Sequence, residues 1–288
     1  MLDIKFIRDN AEAVKKSTRD KGFDEGVVDE VIKADEIHRE LLVKVETLRA
    51  ERNKLGKDDI AKGKKLKLEL KGQEGKLKQV ESEFAALQLL VPNPAAEDVK
   101  VGTAENNEVT KTVGKQPEFD FKVRDHVEIG QLTDTIDVER GTKVAQSGFY
   151  YMKGDGALLE MALTNYAIKK LTDKGFTFVI TPNVAKERNI VGCGFQSRSD
   201  KERQIYRVED EDLDLIATAE ITLVGLHTDE VLDLTRLPLK YGGYSYCYRQ
   251  EIGSYGKDVR GILRVHEFRK VEMVVFCLPG DSGKIHEQ

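Results

Sequence analysis

The stretch YCYRQEIGSYGKDVRGILRVHEFRKVEMVVF, residues 246–276, sets Arg249 and Glu251 two apart, continues with a glycine-rich basic run, and then places Arg264, Phe268 and Glu272 at intervals of four. Side chains alternate across a sheet, so if 244–251 and 262–276 are strands joined by IGSYGKDVRG, each of these even spacings keeps its set on one face. The sheet would then display two arginines, one aromatic ring and two carboxylates in a band roughly 25 Å long. His266 and Lys270 fall on the same face, with no role that the spacing assigns. The opposite parity, Val265, Val271, Met273 and Val275, carries the apolar load, interrupted by Glu267 and Arg269. A solvent-facing sheet side with cross-strand ion pairs accounts for the same pattern, and parity alone does not choose between the two.

The surrounding chain is 288 residues with 40% hydrophobic and 34% charged residues, enough for one sizeable core or two domains. No apolar run approaches the roughly 18–20 residues of a membrane span. The start MLDIKFIRDN is charged where a signal peptide is apolar, so a cytosolic address is expected. Cys193, Cys247 and Cys277 are odd in number and far apart, which suggests neither a disulfide framework nor a CxxC metal site. The histidines form no HxxxH or HExxH, so no metal ligand is named, although a substrate-held Mg²⁺ would leave no such signature.

Residues 27–55 repeat at alternating steps of four and three through Val27, Val31, Ala34, His38, Leu41, Val45, Leu48, Arg52 and Leu55. Residues 66–91 do so again through Leu66, Leu70, Gln73, Leu77, Val80, Phe84, Leu87 and Val91. A sustained 3.5-residue period predicts two supercoiled helices. Joined by GKDDIAKG (56–63), they fold back as an antiparallel hairpin, an arm whose limbs are each roughly 40 Å long. Although the net charge is −5, residues 54–78 hold nine lysines against four acids, and this cluster lies at and beside the arm's far end. A phosphate-seeking tip and a merely solvated helix face both explain it.

VPNPAAED (91–98) ends the second limb, because proline lacks a backbone donor and restricts its predecessor, and a domain boundary is placed near residues 92–105. Beyond it, EVTKTVG and GFYYMKG read as strands, and 155–174 as an amphipathic helix through Leu158, Met161, Ala162, Asn165, Ile168 and Leu171. An aspartate opens that helix and Gly175 closes it. FTFVITP is a strand ended by Pro182. Helices mixed with hairpin-linked strands predict an α+β domain around an antiparallel sheet. GSYGKD, GDSGKI and GCGFQSR all fail the spacing of phosphate-binding glycine loops, so phosphates would have to be held by arginines.

Residues 246–276 resemble motif 2 of the class II aminoacyl-tRNA synthetases, and specifically of the seryl-tRNA synthetase family, with YRQE where FRxE is more usual. The resemblance extends through MLDIKFIRDN, the arm, VPNP, FYYMKGDGALLEMAL, GFTFVITP (similar to motif 1) and TAE at 218–220, in family order and over essentially the whole chain. It implies a helical tRNA-binding arm over 1–100, followed over 101–288 by an incomplete class II catalytic domain. The implied activity is ATP-dependent conversion of serine to seryl-adenylate, with transfer to tRNA(Ser) by a cytoplasmic homodimer.

By the same resemblance Arg249 is catalytic, bridging the ATP α-phosphate and the serine carboxylate. Glu251 contacts the adenine amino group, Phe268 stacks on the adenine, and Arg264 holds the phosphate tail. Thr218, Glu220 and Glu272 lie, with Arg249, where the family binds serine. Lys54, Lys57, Lys62, Lys64 and Lys65 on the arm, with Lys257 and Arg260 in the motif 2 loop, are the tRNA contacts. ATP and Mg²⁺ are the implied cofactors. The sequence departs from the family pattern in lacking motif 3, a glycine-rich strand leading to an arginine, so these residues alone are expected not to form seryl-adenylate at a useful rate. A non-catalytic tRNA-binding or coiled-coil interaction protein is the rival reading. A synthetase paralogue loading a carrier protein is a third, and would be expected to lack the arm.

Overall fold

A computed structural model describes residues 2–56, 59–195, 204–252 and 260–288, and the chain divides into two compact units, Met1–Gln116 and Pro117–Gln288.

In the first unit, α1 (Ile4–Asp9) is capped by Asp3, whose carboxylate accepts from the Lys5 and Phe6 amides. Then come α2 (Ala11–Asp20), α3 (Gly26–Asn53) and α4 (Ile60–Leu90). The two long helices pack along each other as the 3.5-residue period requires. Val45 and Leu48 of α3 are buried against Leu66, Leu70 and Leu77 of α4. At the base of the hairpin, Ile7 and Val14 of the short helices join Val28, Val31 and Val91. The link is shorter than 56–63, because Ile60–Gly63 already belong to α4, where the Gly63 amide donates to the Asp59 carbonyl at 2.8 Å. Asp35, outside the heptad stripe, is 3% exposed and accepts from Arg8 at 2.8 Å and Arg39 at 2.9 Å. Such a buried carboxylate is tolerable only when paired in this way.

The second unit runs through α5 (His126–Leu132), β1 (Ile136–Asp137), α6 (Val138–Ala145), β2 (Tyr151–Met152) and the twenty-residue α7 (Gly154–Asp173). It continues with β3 (Thr177–Ile180), β4 (Val184–Ala185), α8 (Glu187–Gly192), β5 (Asp214–Leu215) and α9 (Ala219–Gly225). Last come the ten-residue strands β6 (Leu239–Tyr248) and β7 (Glu267–Phe276) and the short α10 (Ser282–His286). The main sheet has the order β3-β6-β7, and β6 and β7 pair antiparallel from Leu239↔Phe276 to Tyr248↔Glu267. The expected antiparallel sheet is therefore mixed, since β3 runs parallel to β6.

Several local expectations are corrected. EVTKTVG forms no strand, and GFYYMKG contributes only the two residues of β2. Asp155 lies in the first turn of α7 while Lys153, without a side-chain cap, precedes it; Gly175 does close the helix, at φ +79°. The strands end earlier at the loop side than 251 and 262, so Glu251 and Arg264 project from the connection and not from the ladder. No described helix is long and apolar enough to cross a membrane.

Helix α9 packs on the face of β6 and β7 that carries Gly243 and its partner Glu272. The approach is so close that a Cβ on Gly243 would lie 2.8 Å from Leu223 Cδ1, inside van der Waals contact. Gly243→Ala is therefore expected to cost roughly 1–3 kcal/mol of overpacking. Equilibrium urea unfolding reads this directly, and an unchanged midpoint would mean that α9 is not seated on the sheet as described.

Candidate active site

The even-numbered side chains of β7 share a face with the odd-numbered ones of β6: Phe268 opposite Cys247, Lys270 opposite Ser245, Glu272 opposite Gly243. Arg249 continues that parity one step past β6. Its amide donates to the His266 carbonyl at 2.9 Å, and His266 Nδ1 lies 2.9 Å from the Arg249 carbonyl. A carbonyl only accepts, so Nδ1 carries the imidazole proton. His266 thus extends the ladder beyond its last regular pair and fixes where Arg249 leaves it. Its own amide donates to the Gly148 carbonyl at 3.0 Å. Gly148 sits at φ +83°, with the His266 ring 2.4 Å from where a Cβ would be, so only glycine fits there.

The Arg249 guanidinium lies over the Phe268 ring, 5.3 Å from its centroid, with Nε donating to the Ala217 carbonyl at 3.3 Å. The two side chains therefore face the same way. They line a cavity of about 760 Å³ together with Phe195, Gln204, Glu251, Ile262, Leu263, Arg264 and Val265. Glu251 takes a left-handed backbone conformation, φ 51°, and its amide donates to Gln204 Oε1 at 3.2 Å. The Gln250 amide donates to the Gln204 carbonyl at 2.9 Å. This turn aims Glu251 back at Arg264, and the two form an ion pair across the connection. All four residues with an implied nucleotide role line one cavity. Val265 lines it too, and so leaves the apolar face on which parity had put it.

A second cluster sits further along the same sheet face. Thr218 precedes α9 in the most buried part of the unit, between Ile216, Ala217, Ala219 and Ile221, all 0% exposed. Its hydroxyl donates to Glu272 Oε2 at 2.9 Å and accepts from Lys270 Nζ at 2.9 Å and from the Glu220 amide at 3.3 Å. Lys270 also pairs with Glu272. Thr218 and Glu272 are thus brought together, whereas the Glu220 side chain is exposed and does not border the 760 Å³ cavity. Lys270, Gln204, Ala217 and Phe195 were not singled out from sequence. Even parity placed Lys270 on this face, and nothing in the sequence marked the other three.

On the opposite face, Glu267 and Arg269 have their own surroundings. Arg269 pairs with Glu160 of α7 at 3.0 Å and stacks over Tyr246 at 4.7 Å, so it interrupts the apolar parity to anchor the helix. Arg260 pairs with Asp125 at 3.1 Å. Lys54, Lys62, Lys64 and Lys65 are exposed on the arm and, among the described residues, form no ion pair. Lys57 and Lys257 lie outside the described residues.

Cys193, half-buried at the end of α8, has its thiol pushed up to about 11, chiefly by burial and further by the nearby Glu220 charge. Against an ordinary value of 9.0, its thiolate fraction at pH 8 falls about 100-fold. Iodoacetamide is accordingly expected to label Cys193 about 100-fold more slowly in the native than in the urea-unfolded protein. Peptide mass spectrometry reads the ratio, and equal rates would contradict the described burial.

Residues 1–95 match the family description "Seryl-tRNA synthetase N-terminal domain", and residues 206–288 match "tRNA synthetase class II core domain (G, H, P, S and T)". A serine–tRNA ligase of Paenarthrobacter aurescens is 43% identical over 300 residues, covering all of this chain and 70% of that protein. One from Borreliella burgdorferi is 41% identical over 301 residues, again covering all of this chain and 70% of that protein. The crystal structure of a Pyrococcus horikoshii seryl-tRNA synthetase complexed with ATP superimposes with a TM-score of 0.86 at 34% identity, over all of this chain and 72% of that one. A cytoplasmic serine–tRNA ligase of Naegleria fowleri in complex with AMP gives 0.81 at 31%, over all of this chain and 69% of that one. The sheet face, the arm and these similarities agree, and the chain belongs to the seryl-tRNA synthetase family.

Proposed function

We propose that this chain carries the nucleotide and amino-acid cradle of a serine–tRNA ligase: it joins serine to ATP as seryl-adenylate, releases pyrophosphate, and passes the seryl group to tRNA(Ser). The observation that supports this most is the single sheet face on which Arg249 and Phe268 touch while Thr218, Lys270 and Glu272 bond to one another.

The residue types suit the reaction. Serine's carboxylate is already ionised at neutral pH, so one of its oxygens attacks the α-phosphorus as the bond to pyrophosphate breaks, with no general base. What the reaction needs is alignment and neutralisation of charge growing on the phosphate. Arg249 is assigned both tasks, bridging the carboxylate and the α-phosphate. Phe268 offers the adenine a stacking face, Glu251 accepts from its amino group, and Arg264 takes the phosphate tail. Glu272, hydrogen-bonded to Thr218, is assigned the serine amino group as a charge-assisted clamp, and Glu220 a further contact with serine. Among the described residues no cluster of three or more His, Cys, Asp or Glu could cage a metal. A Mg²⁺ carried by the phosphates of ATP would add charge neutralisation to that supplied by Arg249 and Arg264.

The first hundred residues are assigned to tRNA through Lys54, Lys57, Lys62, Lys64 and Lys65, and Lys257 and Arg260 to the acceptor end; residues 101–288 are assigned to catalysis, in the cytoplasm. A second copy is the proposed partner of α7, whose Leu158, Leu159, Met161, Leu163 and Tyr166 are 56–68% exposed, beside β3 with Ile180 at 75%. Apolar side chains so grouped along one helix favour a covered surface.

Serine-dependent exchange of pyrophosphate into ATP tests the assignment, measured on these 288 residues alone and on the same residues extended by the part that the relatives carry beyond them. Exchange is expected in the extended protein and not at a useful rate in the 288 residues. In the extended protein Arg249→Ala is expected to lower kcat by about 10²–10³-fold. Unimpaired activation kinetics would remove Arg249 from the site. Replacing Lys62, Lys64 and Lys65 by glutamate is expected to weaken tRNA binding and to flatten its salt dependence by about one log–log unit per lost phosphate contact. Retained affinity and slope would take these lysines out of the tRNA interface, while tRNA-free exchange reports on the catalytic unit separately.

A further inference from the structure

Lys270 has no place in the assignments above, yet its ammonium lies at their centre. It donates to Thr218 Oγ1 at 2.9 Å and pairs with Glu272 through the same Oε2 that accepts the Thr218 hydroxyl. The Thr218 oxygen has two acceptor sites and one proton. Lys270 Nζ and the Glu220 amide occupy the acceptor sites, so the proton can point only at Glu272. Oε2 of Glu272 is thereby loaded with two donors. Oε1 receives none from any described residue, and the Glu272 side chain keeps 23% of its surface open.

We infer that Lys270 is a positioning residue for the amino group of serine. Its ammonium locks Thr218 and one oxygen of Glu272 so that the remaining oxygen alone is presented to the incoming amine. The inference rests on the serine-binding role proposed above for Glu272.

Two physical consequences separate this role from simple packing. Without the ammonium, the Thr218 hydroxyl can rotate to other acceptors and the Glu272 carboxylate can turn, so the substrate amine meets an oxygen that must first be ordered. The cost falls on the amino acid, because Lys270 is not among the residues around the nucleotide cavity. A cation beside Glu272 would also repel the substrate's ammonium if the two shared one oxygen. Dividing them between Oε2 and Oε1 lets one carboxylate serve both, and the Thr218 hydroxyl holds the division in place.

Serine-dependent pyrophosphate exchange by these residues extended with the part that the relatives carry beyond them provides the test, with KM for serine and KM for ATP determined separately and Tm measured alongside. Lys270→Met is expected to raise KM for serine about tenfold or more, the scale of a lost hydrogen bond to a charged group, while KM for ATP stays within about twofold. Lys270→Arg keeps the charge and two donors and is expected to recover part of the loss. Adding Thr218→Val to Lys270→Met is expected to cost little more, because the two residues act through one carboxylate. An unchanged KM for serine in Lys270→Met would overturn the inference. So would parallel rises in both KM values with a lowered Tm in both Lys270 variants, the mark of a purely structural residue. A wild-type protein that exchanges pyrophosphate with another amino acid and not with serine would overturn the functional reading itself, and the inference with it.

Discussion

The antiparallel register that sets Gly243 opposite Glu272 and Cys247 opposite Phe268 is the constraint on which the site depends. A slip of one residue would turn Phe268, Lys270 and Glu272 to the side of α7 and bring Arg269 into the cradle. The register is protected on both faces. On one, α9 sits so close that a Cβ at 243 would press on Leu223, which resists any slip that brings Tyr244 to that position. On the other, Arg269 is tied to Glu160 and stacked on Tyr246, so α7 holds β7 from behind. Past the last regular pair, the reciprocal bonds between Arg249 and His266 carry the same register into the loop.

Much of this was legible in the sequence because it obeys a period. The 3.5-residue repeat identified the arm, and its named positions are buried or half-buried apart from the exposed Arg52. Even parity grouped Phe268 with Glu272, since a sheet has only two faces, and left open whether Arg249 joins them, which the strand pairing and the Arg249–Phe268 contact decide. Glu251 and Arg264 reached the right cavity for a different reason than parity: a left-handed turn and an ion pair bring them there from outside the strands. Gln204, Phe195 and Ala217 were invisible because they arrive from loops distant in sequence, and no local pattern encodes that meeting. Asp35 was missed on the arm for the same reason, since one of its two partners, Arg8, lies 27 residues away. The apolar period over 155–174 marks α7 as amphipathic, and on that stripe Leu158 and Met161 are exposed. Periodicity reports that a face is apolar and says nothing of whether this chain or another covers it.

The two halves of the cradle are built with different rigidity. Thr218 is wedged between fully buried neighbours, and its hydroxyl has every hydrogen-bonding valence filled. Such a network is expensive to distort, because each broken bond strands a polar group in a low-dielectric setting. That rigidity suits discrimination, where a small difference between two amino acids must be read as unpaired polar groups. The nucleotide side is looser, an open cavity whose charged rim, Arg264 and Glu251, is held by side chains from the connection between strands. A stacking face and cations at the rim would suffice for the proposed nucleotide, since adenine and phosphate are recognised by flat contact and charge.

Two of the cradle's cations are paired within the chain, Arg264 with Glu251 and Lys270 with Glu272, while Arg249 lies against the Phe268 ring and the Ala217 carbonyl. In the proposed site, a nucleotide that took up Arg264 and Glu251 would exchange this internal pair for intermolecular ones, whereas an amine on the open oxygen of Glu272 would leave the Lys270 pair in place. The net gain from the Arg264 charge would then be modest in the ground state, because the pair given up offsets the pair formed. Arg249 is the one arginine of the cradle not neutralised by a carboxylate among the described residues, so in the proposed reaction its full charge would be left for the charge that grows on the α-phosphate in the transition state.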